Sequence, residues 1–171
     1  MKRRIVATGL ATALTLGMVG FGWNVRSAEN ASPLVGTWRV TSFSAEFLDT
    51  HETSHIFGEH PTGYLQYSPG AHIVAFEQSA EMPKPASATW SDADRAAIHR
   101  SIIAAYAGTY SVEGNKVTYH IVAAWRPDWI GGDQVRYFQI NGNVMTLKTA
   151  PIVDTTNGRQ RVSTITLERV E

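Results

Sequence analysis

The sequence predicts an all-β fold: an eight-stranded antiparallel up-and-down barrel with one inserted α-helix, behind a signal peptide. Three observations lead there. Most segments beyond residue 33 alternate, or run continuously, in β-branched and aromatic residues, which is the pattern of strands. Several are joined by the short turns Ser68-Pro69-Gly70, Glu113-Gly114-Asn115 and Asn141-Gly142-Asn143, which leave no room for the helical crossover of a parallel pair. The chain has no cysteine, which excludes a disulfide framework and a lipid-modified N-terminal Cys, so stability has to come from packing.

The first element is a targeting segment over residues 1–27. Lys2, Arg3 and Arg4 open it, Ile5 to Trp23 carries no charge, and Val25-Arg26-Ser27-Ala28 provides a small-residue exit. This predicts a signal peptide cut near Ser27 or Ala28 and an exported protein, periplasmic or secreted, with no stable membrane insertion after cleavage. An uncleaved anchor is the alternative, because the apolar stretch approaches the ~20 residues that span a bilayer. Four of the 15 basic residues, Lys2, Arg3, Arg4 and Arg26, precede the first acid, Glu29, so the domain at 28–171 holds 11 bases against 15 acids. That balance excludes a nucleic-acid binder, which needs clustered cations to displace counterions from phosphates.

Strands are expected at 34–43, 63–67, 72–77, 107–112, 116–124, 133–140, 144–149 and 161–170. A helix over 92–105 follows Ser91 as N-cap, with Asp94 closing a capping box and Ile98, Ile102 and Ala105 on one face. Ser79 to Thr89, with Pro83 and Pro85, reads as an irregular connection. Eight antiparallel strands in one domain leave a sandwich, such as a jelly roll, or a closed barrel. Closure removes exposed edges and leaves an interior wide enough for one small ligand.

The sharpest motif is His51-Glu52-Thr53-Ser54-His55, the H-E-x-x-H string of zinc hydrolases. Its context is wrong for one. The preceding residues 41–47 alternate as in a strand, Gly58 and Pro61 would break a helix, and His60 comes one residue too early for the third ligand of the longer form. An exposed polar loop is expected, with no metal. Gly36-Thr37-Trp38 in the first strand and Leu167-Glu168-Arg169 in the last form the second signal. First and last strands are neighbours in a closed barrel, so the Arg169 guanidinium is placed to stack on the Trp38 indole, with Gly36 permitting close approach.

These segments, with Phe57-Gly58-Glu59-His60-Pro61-Thr62-Gly63-Tyr64-Leu65-Gln66-Tyr67, Tyr106-Ala107-Gly108-Thr109-Tyr110, Pro127-Asp128-Trp129-Ile130-Gly131 and Gln134-Val135-Arg136-Tyr137-Phe138, resemble the bacterial lipocalin-like domain proteins of the calycin group from about Leu34 to Val170. The resemblance implies an eight-stranded barrel with an internal cavity, and it suggests His120 and Arg136 as recurring polar positions. It supplies no common reaction or ligand.

Strand parity leaves two candidate interior sets in each of two strands: Gln134, Arg136, Phe138, Ile140 or Val135, Tyr137, Gln139, and Thr118, His120, Val122, Ala124 or Val117, Tyr119, Ile121, Ala123. The expected ligand-binding set is His120, Val122, Arg136 and Phe138, around a small hydrophobic or amphipathic, acidic molecule. Arg136 facing solvent, and His120 as a hydrogen-bonded structural residue, are the plain alternatives. A second class is an isomerase or hydratase acting in the same cavity, with His120 as acid–base and Arg136 steadying an oxyanion. No cofactor is expected, and oligomeric state is not legible.

Overall fold

A computed structural model describes residues 32–154 and 157–171. The predicted signal segment and its cleavage point lie outside the described residues. The elements are β1 (Gly36–Phe47), β2 (Thr53–Ser54), β3 (Thr62–Tyr67), β4 (His72–Gln78), α1 (Asp92–Ser101), β5 (Ile102–Glu113), β6 (Lys116–Ala124), β7 (Asp133–Asn141), β8 (Val144–Thr149), β9 (Ile152–Val153) and β10 (Gln160–Arg169). Eight long strands pair antiparallel in the order β1-β3-β4-β5-β6-β7-β8-β10, and β10 returns to β1, which closes the barrel. The two-residue strands β2 and β9 only clip onto β1 and β10.

All eight expected strands are present, some of them longer than expected. β1 runs on to Phe47 because its register with β10 shifts between Val40 and Ser42. Such a bulge changes parity, so Trp38 and Val40 before it and Phe43, Ala45 and Phe47 after it all point inward and are buried. The helix is shorter than expected. Its start has the predicted capping box, with Ser91 Oγ accepting from the Asp94 amide at 3.1 Å and Asp94 Oδ2 accepting from the Ser91 amide at 2.9 Å. It ends at Ser101, and the β-branched pair Ile102-Ile103 opens β5 instead of continuing an apolar helical stripe. Among the described residues no helix is long and apolar enough to cross a membrane.

One pole of the barrel is sealed. Trp38 is fully buried and its indole N–H donates to the Leu34 carbonyl at 2.7 Å. The Arg169 guanidinium lies 4.0 Å from the indole centroid and donates to the Val35 and Pro33 carbonyls at 2.5 and 2.8 Å. Gly36, at φ +132, makes room: a Cβ there would stand 2.5 Å from the Glu171 carbonyl oxygen and 2.6 Å from Arg169 Nη1. Above this plug Tyr67, Tyr110, Ile73, Val117, Met145, Leu167 and Phe138 fill the lower barrel.

Candidate functional site

The upper barrel is hollow. A cavity of about 1050 Å³ opens at the pole opposite the Trp38 plug, just above the ~300–1,000 Å³ of ordinary small-molecule pockets. Phe43, Leu65, Leu147 and Ile165 form apolar wall, while Tyr106 and Tyr119 bring phenol rings to the lining. At the mouth, Phe57 packs edge-on against Phe43 with centroids 4.9 Å apart, and α1 contributes Ala97, His99, Arg100 and Ser101. The segment after β6 adds an aromatic rim: Trp125 lies 4.4 Å from the His99 ring and 6.3 Å from Trp129, which meets Tyr106 at 6.1 Å.

Among the described residues, two charged side chains of the barrel strands reach this interior without a charged partner in hydrogen-bonding range. Glu77, from the inward row Ile73, Ala75, Glu77 of β4, is 2 % exposed, and its Oε2 has no hydrogen-bond partner. Burial pushes its carboxyl up to about 7, opposed by the positive charge of Arg136. Arg136, on β7, donates through Nη1 to the Val135 carbonyl at 2.8 Å and through Nη2 to Gln134 Oε1 at 3.3 Å. Both acceptors are neutral, so its positive charge faces the cavity unmatched by an ion pair. Of the other lining guanidiniums, Arg161 Nε donates to Asp154 Oδ2 at 2.8 Å and Arg161 also bonds Ser163 Oγ, Arg126 Nη2 donates to Asp128 Oδ2 at 2.7 Å, and Arg100 belongs to α1 at the mouth.

Three phenols surround the two charges. Tyr67 and Tyr119 share a 2.5 Å hydrogen bond between their hydroxyls. Burial pushes the Tyr119 phenol up to about 12 and the Tyr67 and Tyr106 phenols well above their ordinary value. At neutral pH all three therefore remain hydroxyls. Glu77 on β4 and Arg136 on β7 sit three strands apart in the ring of eight, and the Arg136 charge acts on Glu77, Tyr106 and Tyr119 without an ion pair.

The lipocalin-like domain family matches residues 35–170, nearly the whole described barrel. This chain belongs to that family. No curated protein matches the chain. Lipocalin-like barrels generally take small hydrophobic ligands, and the hollow upper half of this one fits that use.

Three of the four expected ligand contacts in this lipocalin-like barrel are misplaced. His120 faces outward, because β6 turns Val117, Tyr119 and Ile121 into the core. Its ring meets Asp133 Oδ1 at 2.7 Å and Ser111 Oγ at 3.4 Å on the open outer face of β5, β6 and β7. That order imitates a hydrolase triad, but it lies on strands paired with one another in the sheet, on the face away from the cavity. Val122 also lies outside, 68 % exposed, at the bulge where Ala107 pairs with Ala123 and Gly108 with Ile121. Phe138 does point inward, yet it belongs to the packed lower core and does not line the cavity. Arg136 alone of the four lines it.

The H-E-x-x-H string forms an extended loop. His51 meets Glu46 Oε1 at 3.3 Å, His55 meets the Phe43 carbonyl at 3.2 Å, and Thr53–Ser54 pair with β1 as a strand. Among the described residues no group of three His, Cys, Asp or Glu stands ready to hold a metal.

Sequence reasoning passed over Glu77, and it placed Tyr119 in one of two possible interior sets and Tyr106 in a family motif without making either a site residue. For Glu77 the alternation of β4 was available, but it misleads: the larger apolar pair Val74 and Phe76 is on the outer face, 53 % and 46 % exposed. Periodicity therefore favours burying the wrong side.

Proposed function

We propose that this protein is an exported binder of a small amphipathic acid. The tail lies among Phe43, Leu65, Leu147 and Ile165, and the acid group meets Arg136. One observation carries the reading: a guanidinium that lines the cavity with the apolar wall of Phe43, Leu65, Leu147 and Ile165 is hydrogen-bonded only to neutral acceptors. Desolvating such a charge without a counter-charge is costly, and an anionic head that enters the cavity relieves that cost. Glu77 does not fill this role well, because its own burial favours the protonated form.

The test compares two ligands of one shape, a medium-chain carboxylic acid and its primary amide, on native protein and Arg136→Met. Titration calorimetry should give a loss of roughly 2–5 kcal/mol for the acid and little change for the amide. Equal losses for both would make Arg136 a structural residue and refute the anchor. Export rests on residues 1–27 and is tested separately: mature protein should begin near Ala28, and full-length chain in the membrane fraction would refute it.

A further inference from the structure

We propose that Glu77 and Arg136 also form a proton-transfer site that moves the double bond of an apolar β,γ-unsaturated ketone into conjugation. This rests on Arg136 as the anchor of the ligand's oxygen, and it adds chemistry to that anchor. Glu77 is a carboxyl with 2 % exposure whose Oε2 receives no hydrogen bond, so its negative charge is opposed by burial and favoured only by the more distant charge of Arg136. A carboxylate held that way is a stronger base than one in water. Arg136, whose charge acts on Glu77, keeps N–H donors beyond those given to Val135 and Gln134, suited to an oxygen that becomes negative.

The inventory limits the reaction. The neighbouring Tyr67, Tyr106 and Tyr119 remain hydroxyls, so Glu77 is the one base of this cluster, and it must return the proton it takes. No second reactant is then needed, and the product is an isomer of the substrate. Glu77 Oε removes a proton from the carbon between the carbonyl and the alkene. That C–H pair becomes the new C=C bond, the carbonyl π pair moves to oxygen, and the dienolate oxygen rests against Arg136. The electrons then return: the carbonyl re-forms, the distal carbon takes the proton back from Glu77, and the conjugated enone leaves. Phe43, Leu65, Leu147 and Ile165 suit a ketone with an apolar body and keep water from the dienolate.

The probe is 1-phenylbut-3-en-1-one, whose conversion to 1-phenylbut-2-en-1-one is followed by ultraviolet absorbance, with its binding measured by quenching of tryptophan fluorescence. Intact protein should isomerise the bound ketone at least a hundredfold faster than acetate at the same concentration. Glu77→Gln should bind the ketone and lose at least tenfold in rate, Arg136→Met should lose rate while retaining Glu77, and His120→Ala, altered on the outer face, should match the parent. In the parent the rate should rise with pH through about 7 as Glu77 ionises, burial opposing and the Arg136 charge favouring its ionised form, while the three phenols Tyr67, Tyr106 and Tyr119 stay neutral. A ketone that binds and is not isomerised above the acetate blank overturns the proposal and leaves the binding reading intact. So does full activity in Glu77→Gln. Failure of both the ketone and the carboxylic acid to bind overturns both.

Discussion

Replacing Glu77 with Gln keeps the side-chain shape and removes its charge, which isolates what burying that charge does to stability. The carboxyl moves from an ordinary 4.5 to about 7 on folding because its surroundings exclude water. The folded protein therefore holds this proton more tightly than the unfolded chain does. Stability from this group is fully present below 4.5, and it is lost as pH rises towards and through about 7. At ~1.4 kcal/mol per pH unit, the loss amounts to about 3 kcal/mol. Urea denaturation of parent and Glu77→Gln at pH 4.5 and 8.5 measures it, since the other titrating groups cancel in the comparison. At pH 8.5 the variant should gain about 3 kcal/mol over the parent relative to their difference at pH 4.5. An unchanged difference between the two pH values would mean that Glu77 is solvated or paired in the folded state, and the argument from burial would fail.

Further outcomes follow from the same geometry. Gly36→Ala forces a side chain into φ +132 and against the Glu171 carbonyl, so denaturation should show a loss of at least about 1–3 kcal/mol. His120→Ala should leave ligand affinity within error in calorimetry, because the ring lies outside the barrel beside Asp133 and Ser111. Elemental analysis should find no stoichiometric zinc, and one zinc per chain lost on His55→Ala would overturn the reading of residues 51–55 as an extended loop.

The barrel was legible because closure depends on features that short-range pattern records: strand alternation, turn residues, and the Trp38 and Arg169 signals placed on adjacent strands. The site was less so. Which face of a strand points inward depends on bulges, and bulges depend on close approaches that one strand's sequence does not reveal. Gly108 illustrates this: a Cβ on it would come within 2.0 Å of the His120 carbonyl oxygen, and beside this contact the register slips and Val122 drops out of pairing. Arg136 was found through the family resemblance, which suggests it as a recurring polar position, while strand parity left both faces of its strand open. Glu77 was missed because Ile73 and Ala75 share its face while Val74 and Phe76 share the other, and the second pair is the more apolar in bulk. The end of α1 was missed for a related reason, since Ile98, Ile102 and Ala105 have helical spacing although Ile102 and Ala105 belong to β5.

The Trp38 plug also fixes which way the barrel faces. Residues 33–37 and 169–171 are tied together at that pole, with the Thr37 amide on the Glu171 carbonyl at 2.9 Å and the Val170 amide on the Thr37 carbonyl at 2.9 Å. Residues 32 and 171 thus both sit at the sealed side, away from the cavity, and offer two routes of attachment there. A tether, fusion or solid support attached through either route holds the barrel like a cup by its base. Cargo arrives and departs at the free rim, and a donor or acceptor of that cargo has to approach from the side opposite the attachment.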